Sequence, residues 1–270
     1  MRDLTAPALL DALTLLVSQA GAEILRIAGG TLAARQKSDA TPVTAADEAS
    51  EAMLLQGLAQ LLPGIDIISE EAAARSMPPK PGQTFILVDP LDGTREILAG
   101  RDEYTVNIAI IHGGRPVTGV LASPARGLIW RGAQDKPSEV LQVRPGSGPD
   151  RAERKAICTR AFSPDRPVAL VSRSHLDAET EKFLTRWPRI EQQGCGSALK
   201  FGLLAQGEAD LYPRLAPTSE WDIAAGDAIL TGAGGLVLTP DGHPVLYGQS
   251  ERQFRVPAFI AWGDAAAARS

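Results

Sequence analysis

The chain has 270 residues, of which 44% are hydrophobic and 22% are charged, and its formal net charge is −5 at pH 7. This size accommodates one large domain or two small ones, and the acidic balance argues against binding of a nucleic acid polymer. Only Cys158 and Cys195 are present, so we expect no disulfide framework and a reducing cytoplasm as the compartment. No apolar run of membrane-spanning length and no signal peptide are found, which predicts a soluble protein.

Two helices and the loop between them are predicted at the start of the chain. Residues 5–30 carry apolar side chains at helical spacing, with Thr5 as the cap and a Gly-Gly pair at the end. Residues 31–43 are polar and predict a loop. Thr44 and Asp47 have the spacing of a capping box, which predicts a second helix that a Pro-Gly pair ends. Capping explains both side chains, and a functional role for Asp47 stays open beside it.

A short predicted strand over residues 66–71 ends in two adjacent acids, Glu70 and Glu71. Because successive side chains of a strand face opposite ways, the two carboxylates cannot both point into one site while the strand persists. We expect one of them to be a ligand and the other to be solvated. A Pro-rich connector over residues 78–82 separates this strand from the next one.

The stretch over residues 85–94 begins as an apolar run, which predicts a buried strand, and ends in a turn that carries Asp89 and Asp92. Two carboxylates that approach each other repel, and each has a raised pKa unless a cation lies between them. A solvated turn is the alternative, since Asp, Pro and Gly are common turn residues. The apolar strand before the turn favours a divalent-metal site, because hard cations prefer oxygen ligands. A short helical turn is predicted at residues 95–98.

The rest of the chain divides into a β-rich part and a part that alternates strands with helices. Residues 104–133 predict a three-stranded antiparallel meander, and residues 134–155, which lack periodicity, predict a domain boundary or a variable excursion. We therefore expect an N-terminal α+β domain over residues 1–150 and a C-terminal α/β domain over residues 151–270. The second domain is predicted to contain strands at 167–172, 209–212, 236–238 and 259–262 and helices at 177–187, 194–206 and 221–230.

The candidate site consists of five acids and one threonine: Asp47, Glu70, Asp89, Asp92, Thr94 and Asp222. Most of the acids lie at the ends of predicted strands or at the start of a helix, where chain reversals bring them together. Two or three Mg²⁺ ions bound by such a cluster activate water, position a phosphate group and stabilise a leaving oxygen. The N–H groups of Gly93 and Thr94 lie at the start of a helical turn, which is a phosphate-binding position. A nucleotide triphosphatase is disfavoured, because no Gly-x-x-x-x-Gly-Lys-Ser/Thr loop is present.

Four ordered motifs resemble those of a known family. VDPLDGT at 88–94 and WDIAAG at 221–226 are similar to the paired signatures of Mg²⁺-dependent, lithium-sensitive phosphatases of the inositol monophosphatase type. PVTAAD at 42–47 and SEE at 69–71 stand in the same order as the other two acidic motifs of that family. The resemblance spans almost the whole chain. It implies a layered αβαβα sandwich with the active site between the N- and C-terminal halves.

Within this family, the chain most resembles the bacterial 3′(2′),5′-bisphosphate nucleotidases. These enzymes remove the 3′-phosphate from adenosine 3′,5′-bisphosphate (PAP) to give AMP, and they also act on its sulfated relative (PAPS). The motifs GSALKF at 196–201 and LYPR at 211–214 carry this resemblance. It implies that Ser197, Lys200 and Arg214 bind the substrate, because charge-assisted contacts favour a ligand with a second phosphate. The alternative for the two cations is a solvated surface charge.

The resemblance also implies a set of metal ligands. Glu70, Asp89 and the carbonyl of Leu91 hold a first Mg²⁺, whose water is the nucleophile. Asp89, Asp92 and Asp222 hold a second Mg²⁺, which stabilises the departing ribose oxygen, and Asp222 also contacts the substrate. Asp89 is thus expected to bridge two ions and Asp92 to bind one.

Either of two pairs of residues is expected to orient and deprotonate the attacking water. One pair is Thr94 with Glu70, and the other is Thr44 with Asp47. The amides of Gly93 and Thr94 bind the phosphate that is cleaved. Phosphate monoesters hydrolyse very slowly without a catalyst, so positioning and charge neutralisation supply most of the rate.

Two other functions stay open at this point. One is an inositol or sugar monophosphatase of the same fold, and the other is a non-catalytic, metal-dependent nucleotide-binding protein. The presence of the whole acidic set argues against the second. We expect a small-molecule partner and no transmembrane segment, while peripheral association with the cytoplasmic face of the inner membrane and the oligomeric state stay open.

Overall fold

The structure of the protein, a computed structural model, describes residues 3–30, 34–36, 42–76, 78–174 and 176–269. The helices in these residues are α1 (Pro7–Ala28), α2 (Ala45–Leu61), α3 (Glu70–Arg75), α4 (Thr94–Leu98), α5 (Ala178–Leu184), α6 (Leu199–Ala205) and α7 (Glu220–Gly232). The strands of the first half are β1 (Ala34–Gln36), β2 (Pro42–Thr44), β3 (Asp66–Ser69), β4 (Thr84–Asp92), β5 (Thr105–His112), β6 (Arg115–Ser123), β7 (Leu128–Ala133), β8 (Glu139–Gln142) and β9 (Glu153–Ala156). Those of the second half are β10 (Val168–Ser172), β11 (Glu191–Cys195), β12 (Leu211–Arg214), β13 (Thr218–Ser219), β14 (Leu236–Leu238), β15 (Arg255–Val256) and β16 (Phe259–Trp262).

Two large sheets organise these elements. The seven-stranded sheet has the order β3-β4-β5-β6-β7-β8-β9, in which only β3 and β4 pair in parallel. The five-stranded sheet has the order β11-β10-β12-β16-β14, and β10 runs parallel to both of its neighbours. Two small antiparallel pairs, β1-β2 and β13-β15, complete the described strands. Because β3 and β4 are parallel, their carboxyl-terminal ends meet at one edge of the large sheet.

Alternating side chains of β4 show how the layers are packed. Ile86 and Val88 face a core that α1 and α2 complete, whereas Phe85 and Leu87 face the opposite core. That second core contains side chains of α6, α7 and the inner face of the five-stranded sheet. A third cluster, which includes Phe183 of α5, covers the outer face of the five-stranded sheet. The layers therefore follow the order αβαβα, and the predicted fold class is confirmed.

Helix α1 is the one described helix that is long and apolar enough to cross a membrane by length and composition. Half of its most apolar window is buried inside the protein. Leu13, Val17 and Ile24 are fully buried and lie in the core between α1, α2 and the large sheet. This is the pattern of a core helix.

Several predicted elements agree with the structure. Residues 105–133 form the predicted three-stranded antiparallel meander, β5 to β7. Helix α2 begins with the predicted capping box at Thr44 and ends just before the Pro-Gly pair. Strand β4 and the turn that follows it also match the prediction, and α4 begins at Thr94.

The predicted ends of two N-terminal elements were wrong. Ala6, not Thr5, is the N-cap of α1, and the hydroxyl of Thr5 instead donates to Asp3, with an Oγ1–Oδ1 distance of 2.8 Å. The strand predicted over residues 66–71 stops at Ser69, and Glu70 and Glu71 belong to the first turn of α3. The alternation argument therefore does not apply to these two acids, since a helix separates consecutive side chains by about 100°. The expectation that one of them is solvated was also wrong, because Glu71 is buried and Glu70 is half-buried.

Three irregular regions were also predicted incorrectly. Part of the loop predicted over residues 31–43 forms the β1-β2 pair, while residues 31–33 and 37–41 lie outside the described part. The region 134–155 contributes β8 and the start of β9, whose residues are all exposed and show no apolar alternation. The helix predicted over 194–206 begins only at Leu199, because β11 extends to Cys195. The domain boundary at residue 150 stays a prediction, and the large sheet extends past it to Ala156.

Candidate functional site

The acids are brought together at the edge where β3 and β4 end. Ser69 of β3 pairs with Val88 of β4. The next residue on each side, Glu70 and Asp89, therefore lies at the same level of the sheet edge. The pairing of β4 with β5 shifts between Asp89 and Asp92, and this irregularity changes the direction of the strand. Carboxylate oxygens of Glu70, Asp89 and Asp222 all lie within 4.8 Å of one another. Three of the predicted ligands, from three separate elements, thus form one cluster.

Glu51 of α2 fixes the start of α3 and with it the position of Glu70. Its buried carboxylate accepts a hydrogen bond from Ala72 N at 2.9 Å and further bonds from Ser69 Oγ and Arg75. These contacts satisfy the first turn of α3, which has no side-chain cap of its own. Sequence reasoning missed Glu51, and an acid within the helical pattern of α2 was the only signal.

Asp222 is held by the first turn of α7. The backbone N–H of Ser219 donates to Asp222 Oδ2 at 3.0 Å, and the hydroxyl of Thr218 donates to the same oxygen. Glu220, fully buried, accepts hydrogen bonds from Gly248 N at 2.6 Å and Gln249 N at 2.8 Å. Glu220 therefore fastens the start of α7 to the 248–249 segment and keeps Asp222 in place. Glu220 was also missed, although it directly precedes the Trp221-Asp222 motif.

Asp92 is a carboxylate of the site whose pKa is strongly raised. Burial, followed by the neighbouring charge of Asp222, raises its pKa to about 7, although Lys200, the amide of Ala198 and Arg214 act in the opposite direction. Its Oδ2 accepts a hydrogen bond from Ala198 N at 2.6 Å. Carboxylates that repel each other in this way become favourable neighbours when a cation lies between them.

The donor set fits a hard divalent cation. Asp89 is only 1% exposed, and Leu91 N donates to its Oδ1 at 3.0 Å. Carboxylate and carbonyl oxygens are the ligands that Mg²⁺ prefers, and no nitrogen or sulfur ligand competes within the acidic cluster among the described residues. Leu91 and Asp92 line the cleft beside Glu70 and Asp222.

A chain of hydrogen bonds connects the cleft to a buried carboxylate. Thr94 Oγ1 donates to Asp47 Oδ1 at 2.9 Å. The other oxygen of Asp47 accepts from Thr44 N at 2.8 Å and Thr44 Oγ1 at 2.7 Å. Thr44 and Asp47 are buried, whereas Thr94 lines the cleft. The hydroxyls of Thr94 and Thr44 therefore share the carboxylate of Asp47, whereas the sequence predicts Glu70 as the partner of Thr94, and of the two hydroxyls it is Thr94 that lines the cleft.

Gly93 is required by its backbone conformation and by its surroundings. Its φ is 98°, in the left-handed region that side chains disfavour. A Cβ at this position would lie 3.0 Å from the carbonyl oxygen of Glu103 and 3.2 Å from Tyr104 Cα. The tight approach places the 93–94 segment directly beside the backbone of residues 103–104.

The acids open into a cleft of about 240 Å³ between the two large sheets. Ser197 lines it and has a φ of 49°, an uncommon value for a residue other than glycine. Ser197 Oγ accepts from Leu199 N at 3.2 Å and thereby begins α6. Trp221, Tyr212 and Pro42 add apolar surface to the cleft.

The two predicted substrate-binding cations lie in different environments. Lys200 is 2% exposed, and its Nζ donates to the carbonyls of Ser197 at 2.6 Å and Cys195 at 3.1 Å. Arg214 Nη2 donates to the carbonyl of Pro217 at 3.4 Å, and its buried Nε has no hydrogen-bond partner among the described residues. Burial lowers the pKa of Arg214, but its neighbours, Tyr212 and the site acids among them, raise it more, so the net direction is upward. Both cations line the cleft, and their roles stay predictions.

Comparison with known proteins then identifies the family. The sequence profile of the Inositol monophosphatase family matches residues 8–263. The chain belongs to the inositol monophosphatase family. Members of this family are metal-dependent phosphatases, which agrees with the acidic cluster, and the resemblance carried by the four motifs is confirmed.

Relatives within the family give the comparison more detail. The Escherichia coli K12 protein named 3′(2′),5′-bisphosphate nucleotidase CysQ is 37% identical over 254 residues, which are 93% of this chain and 98% of that protein. The Haemophilus influenzae protein of the same name is 28% identical over 259 residues, 95% of this chain and 93% of that protein. Both alignments cover almost the full length of the inositol monophosphatase family domain in this chain.

Solved structures of the family show the same fold. The crystal structure of CysQ from Bacteroides thetaiotaomicron has a TM-score of 0.77 and 30% identity, and the match covers 94% of this chain and 96% of that chain. The inositol monophosphatase from Anabaena sp. PCC 7120 has a TM-score of 0.75 at 23% identity, with 97% of this chain and 93% of that chain covered. The second likeness concerns the fold alone.

Proposed function

We propose that the protein is a Mg²⁺-dependent 3′(2′),5′-bisphosphate nucleotidase. Its reaction is hydrolysis of the 3′-phosphate of PAP to AMP and phosphate, with PAPS as a second substrate. The observation that carries this proposal is the cluster of Glu70, Asp89 and Asp222 at the base of a cleft that also contains two cations. The full-length similarity to proteins named CysQ supports the choice of substrate.

Two or three Mg²⁺ ions are assigned to the acidic cluster. Glu70, Asp89, Asp92, Asp222 and the carbonyl of Leu91 would hold them. When bound, Mg²⁺ lowers the pKa of water and neutralises charge on the phosphate oxygens. Since the acids come from β4, α3 and α7, binding of the ions also joins the two halves of the cleft.

Thr94 and Asp47 are proposed to activate the attacking water. Thr94 has one proton, which it donates to Asp47 at 2.9 Å, so its lone pairs are left to accept a hydrogen bond from water. As the water attacks phosphorus, its proton passes to Thr94 Oγ1 and the hydroxyl proton of Thr94 moves toward Asp47. Thr44 keeps Asp47 oriented through its N–H and hydroxyl.

The remaining cleft residues are proposed to bind the substrate. The amides of Gly93 and Thr94 contact the phosphate that is cleaved. Arg214 contacts the second phosphate, with Lys200 supplying positive charge from beneath the turn that carries Ser197. A nucleotide with two phosphates gains more from these cations than an inositol monophosphate does.

Phosphate release by the purified protein with Mg²⁺ tests the proposal. We expect kcat/KM to be highest for PAP, lower for inositol 1-phosphate, and strongly reduced for both in Asp89→Asn. A higher kcat/KM for the inositol ester would instead indicate an inositol or sugar monophosphatase. Absence of hydrolysis of every ester, together with binding of PAP, would indicate the non-catalytic nucleotide-binding protein.

We place this activity in a reducing cytoplasm. Both Cys158 and Cys195 are free thiols, and Cys195 is buried, where burial raises its pKa to about 11. A thiol with so high a pKa reacts slowly, so Cys195 does not act as a nucleophile in the proposed chemistry, and no disulfide links the two cysteines. Activity that is unchanged between reduced and mildly oxidised samples is the expected result.

A further inference from the structure

Glu103 is a buried acid that contacts Gly196, a residue lining the cleft, without belonging to the acidic cluster. Its carboxylate accepts hydrogen bonds from Arg173 Nε at 2.7 Å and Arg173 Nη2 at 2.6 Å, a bidentate arrangement. The backbone N–H of Gly196 donates to the same carboxylate at 2.9 Å. The proposed mechanism uses neither Glu103 nor Arg173.

These contacts connect the two large sheets across the cleft. Glu103 lies between α4 and β5, which belongs to the seven-stranded sheet. Arg173 and Gly196 follow directly after β10 and β11 of the five-stranded sheet. Arg173 Nη2 also donates to the carbonyl of Gly194, so the guanidinium spans the ends of both strands. Planar, bidentate pairs of this kind fix orientation as well as distance.

The backbone at Glu103 is closely packed against Gly93 and Gly196. A Cβ on Gly196 would lie 2.7 Å from the carbonyl oxygen of Glu103 and 2.8 Å from Glu96 Cγ. A Cβ on Gly93 would lie 3.0 Å from the same carbonyl oxygen and 3.3 Å from Ser197 Cβ. Glu103 is therefore in contact with both the 93–94 segment and the turn over residues 196–198.

The turn over residues 196–198 in turn contacts a proposed metal ligand. Ala198 N donates to Asp92 Oδ2 at 2.6 Å, which fixes that oxygen of a residue that lines the cleft. Ser197 adopts a left-handed backbone conformation, which persists in proteins only where the surroundings enforce it. The bond from Gly196 N to Glu103 is one of the contacts that enforce it.

We propose that Glu103 and Arg173 are positioning residues that hold the 196–198 turn against Asp92 and thereby set the affinity of the site for Mg²⁺. The route is continuous: Arg173 orients Glu103, Glu103 holds Gly196, and Ala198 holds Asp92. This inference rests on the proposed function only in naming the ion. Outer partners of ligating carboxylates contribute to metal affinity in this way, since they restrict the orientations of the ligand.

Calorimetric titration of the full chain with Mg²⁺ alone tests the inference. We expect Glu103→Gln to raise the dissociation constant by about tenfold, because the amide nitrogen cannot accept from Arg173 Nη2 and the bidentate pair is lost. Arg173→Lys keeps the positive charge but loses the bidentate hydrogen bonds to Glu103, so a smaller increase in the dissociation constant is expected. The matched control is Asp102→Asn, which breaks the neighbouring exposed pair with Arg126, 3.0 Å long, and should leave the constant unchanged.

Circular dichroism before each titration establishes that the variants are folded. A folded Glu103→Gln protein with the wild-type dissociation constant for Mg²⁺ overturns the inference. An equal loss of Mg²⁺ affinity in Asp102→Asn overturns it as well. If Glu103→Gln does not fold, Arg173→Lys decides: an unchanged constant there also overturns it. Failure of the wild type to hydrolyse PAP would refute the proposed function, whereas the titration would still decide the role of Glu103.

Discussion

Thr94 shows how much of the proposed chemistry depends on a single hydroxyl. It lines the cleft, and it is bonded to Asp47, which is 1% exposed and accepts two further hydrogen bonds from Thr44. A carboxylate with three donors has a fixed orientation, so the hydroxyl of Thr94 also has one preferred direction. The residue therefore presents its lone pairs to the cleft.

We expect Thr94→Ala to lower kcat for PAP by about 10²- to 10⁴-fold, since a positioned proton acceptor is lost. Thr94→Ser retains the hydroxyl and should keep kcat within about tenfold of wild type. Steady-state phosphate release at saturating Mg²⁺ measures both. A Thr94→Ala enzyme with wild-type kcat would exclude Thr94 from water activation.

Arg214 allows a test of substrate selection at the same scale. We expect Arg214→Gln to lower kcat/KM for PAP by about 10- to 100-fold, the value of one charge-assisted contact. For adenosine 3′-monophosphate, which lacks the second phosphate, the change should be within about threefold. Competition assays with both nucleotides measure the ratio, and an equal loss for the two substrates would contradict the assignment.

The motifs predicted that Glu70, Asp89 and Asp222 cluster, but not the residues that hold them. Glu70 and Asp222 lie at helix starts and Asp89 near the end of β4, where local sequence patterns are informative. Glu103 could not be found in this way, because its partners are 70 and 93 residues away in the chain. The buried contacts of Lys200 likewise depend on the left-handed conformation of Ser197, which a single sequence does not reveal.

At the scale of elements, α7 joins the site to the core through close packing. A Cβ on Gly226 would lie 2.2 Å from Phe201 Cγ, and one on Gly119 of β6 would lie 2.4 Å from the carbonyl oxygen of Ala225. These glycines bring α7 against α6 and the large sheet. The same helix begins with Asp222, so its position decides where that carboxylate lies.

We expect Gly226→Ala to destabilise the protein by about 1–3 kcal/mol, because the ring of Phe201 is buried and cannot move away. This loss exceeds the gain of about 1 kcal/mol in helix propensity from Gly to Ala. Urea unfolding measures the difference. Gly148→Ala is the matched control, since its Cβ would meet its nearest atom at 3.7 Å, and stabilisation by Gly226→Ala would contradict the packing argument.

Element predictions failed where the structure depends on partners distant in the chain. Strands β8 and β9 are short and partly charged, and they exist because β7 offers an edge on which to pair. The start of α6 was placed too early because the pairing of β11 with β10 extends the strand to Cys195. The long apolar strands β4 to β6, in contrast, were evident from their residues alone.

At the scale of the whole molecule, the acids that are proposed to bind the metal lower the stability of the metal-free fold at neutral pH. In the metal-free protein, burial and then Asp222 raise the pKa of Asp92 from 3.8 to about 7. A carboxyl group whose pKa is higher in the folded state stabilises the fold below its unfolded pKa. That contribution is lost as the pH rises through the folded pKa. Neutral pH is therefore unfavourable for the metal-free site.

Asp92→Asn removes this ionisation while keeping an oxygen that accepts from Ala198 N. We expect the metal-free variant to be more stable than wild type at about pH 8, with the advantage vanishing near pH 4. Urea unfolding in EDTA at several pH values provides the measurement. The same difference at both pH values would show that ionisation of Asp92 is not its source.

Addition of Mg²⁺ should reverse that order at about pH 8. Ligands that bind only the folded state raise its stability, so wild type should gain more than Asp92→Asn, which has lost a charged ligand. Thermal unfolding across a Mg²⁺ series compares the two proteins. Equal gains would place the ion away from Asp92.

Asp47 and Asp222 share a feature that matters for protein engineering. Each accepts a hydrogen bond from the backbone N–H of the residue just before its helix, Thr44 N at 2.8 Å and Ser219 N at 3.0 Å. The first turn of each helix thus orients its carboxylate within a four-residue unit. Such four-residue units are transferable between proteins. Grafted onto the first turn of a helix in an unrelated scaffold, they would supply oriented oxygen ligands without a redesign of its core.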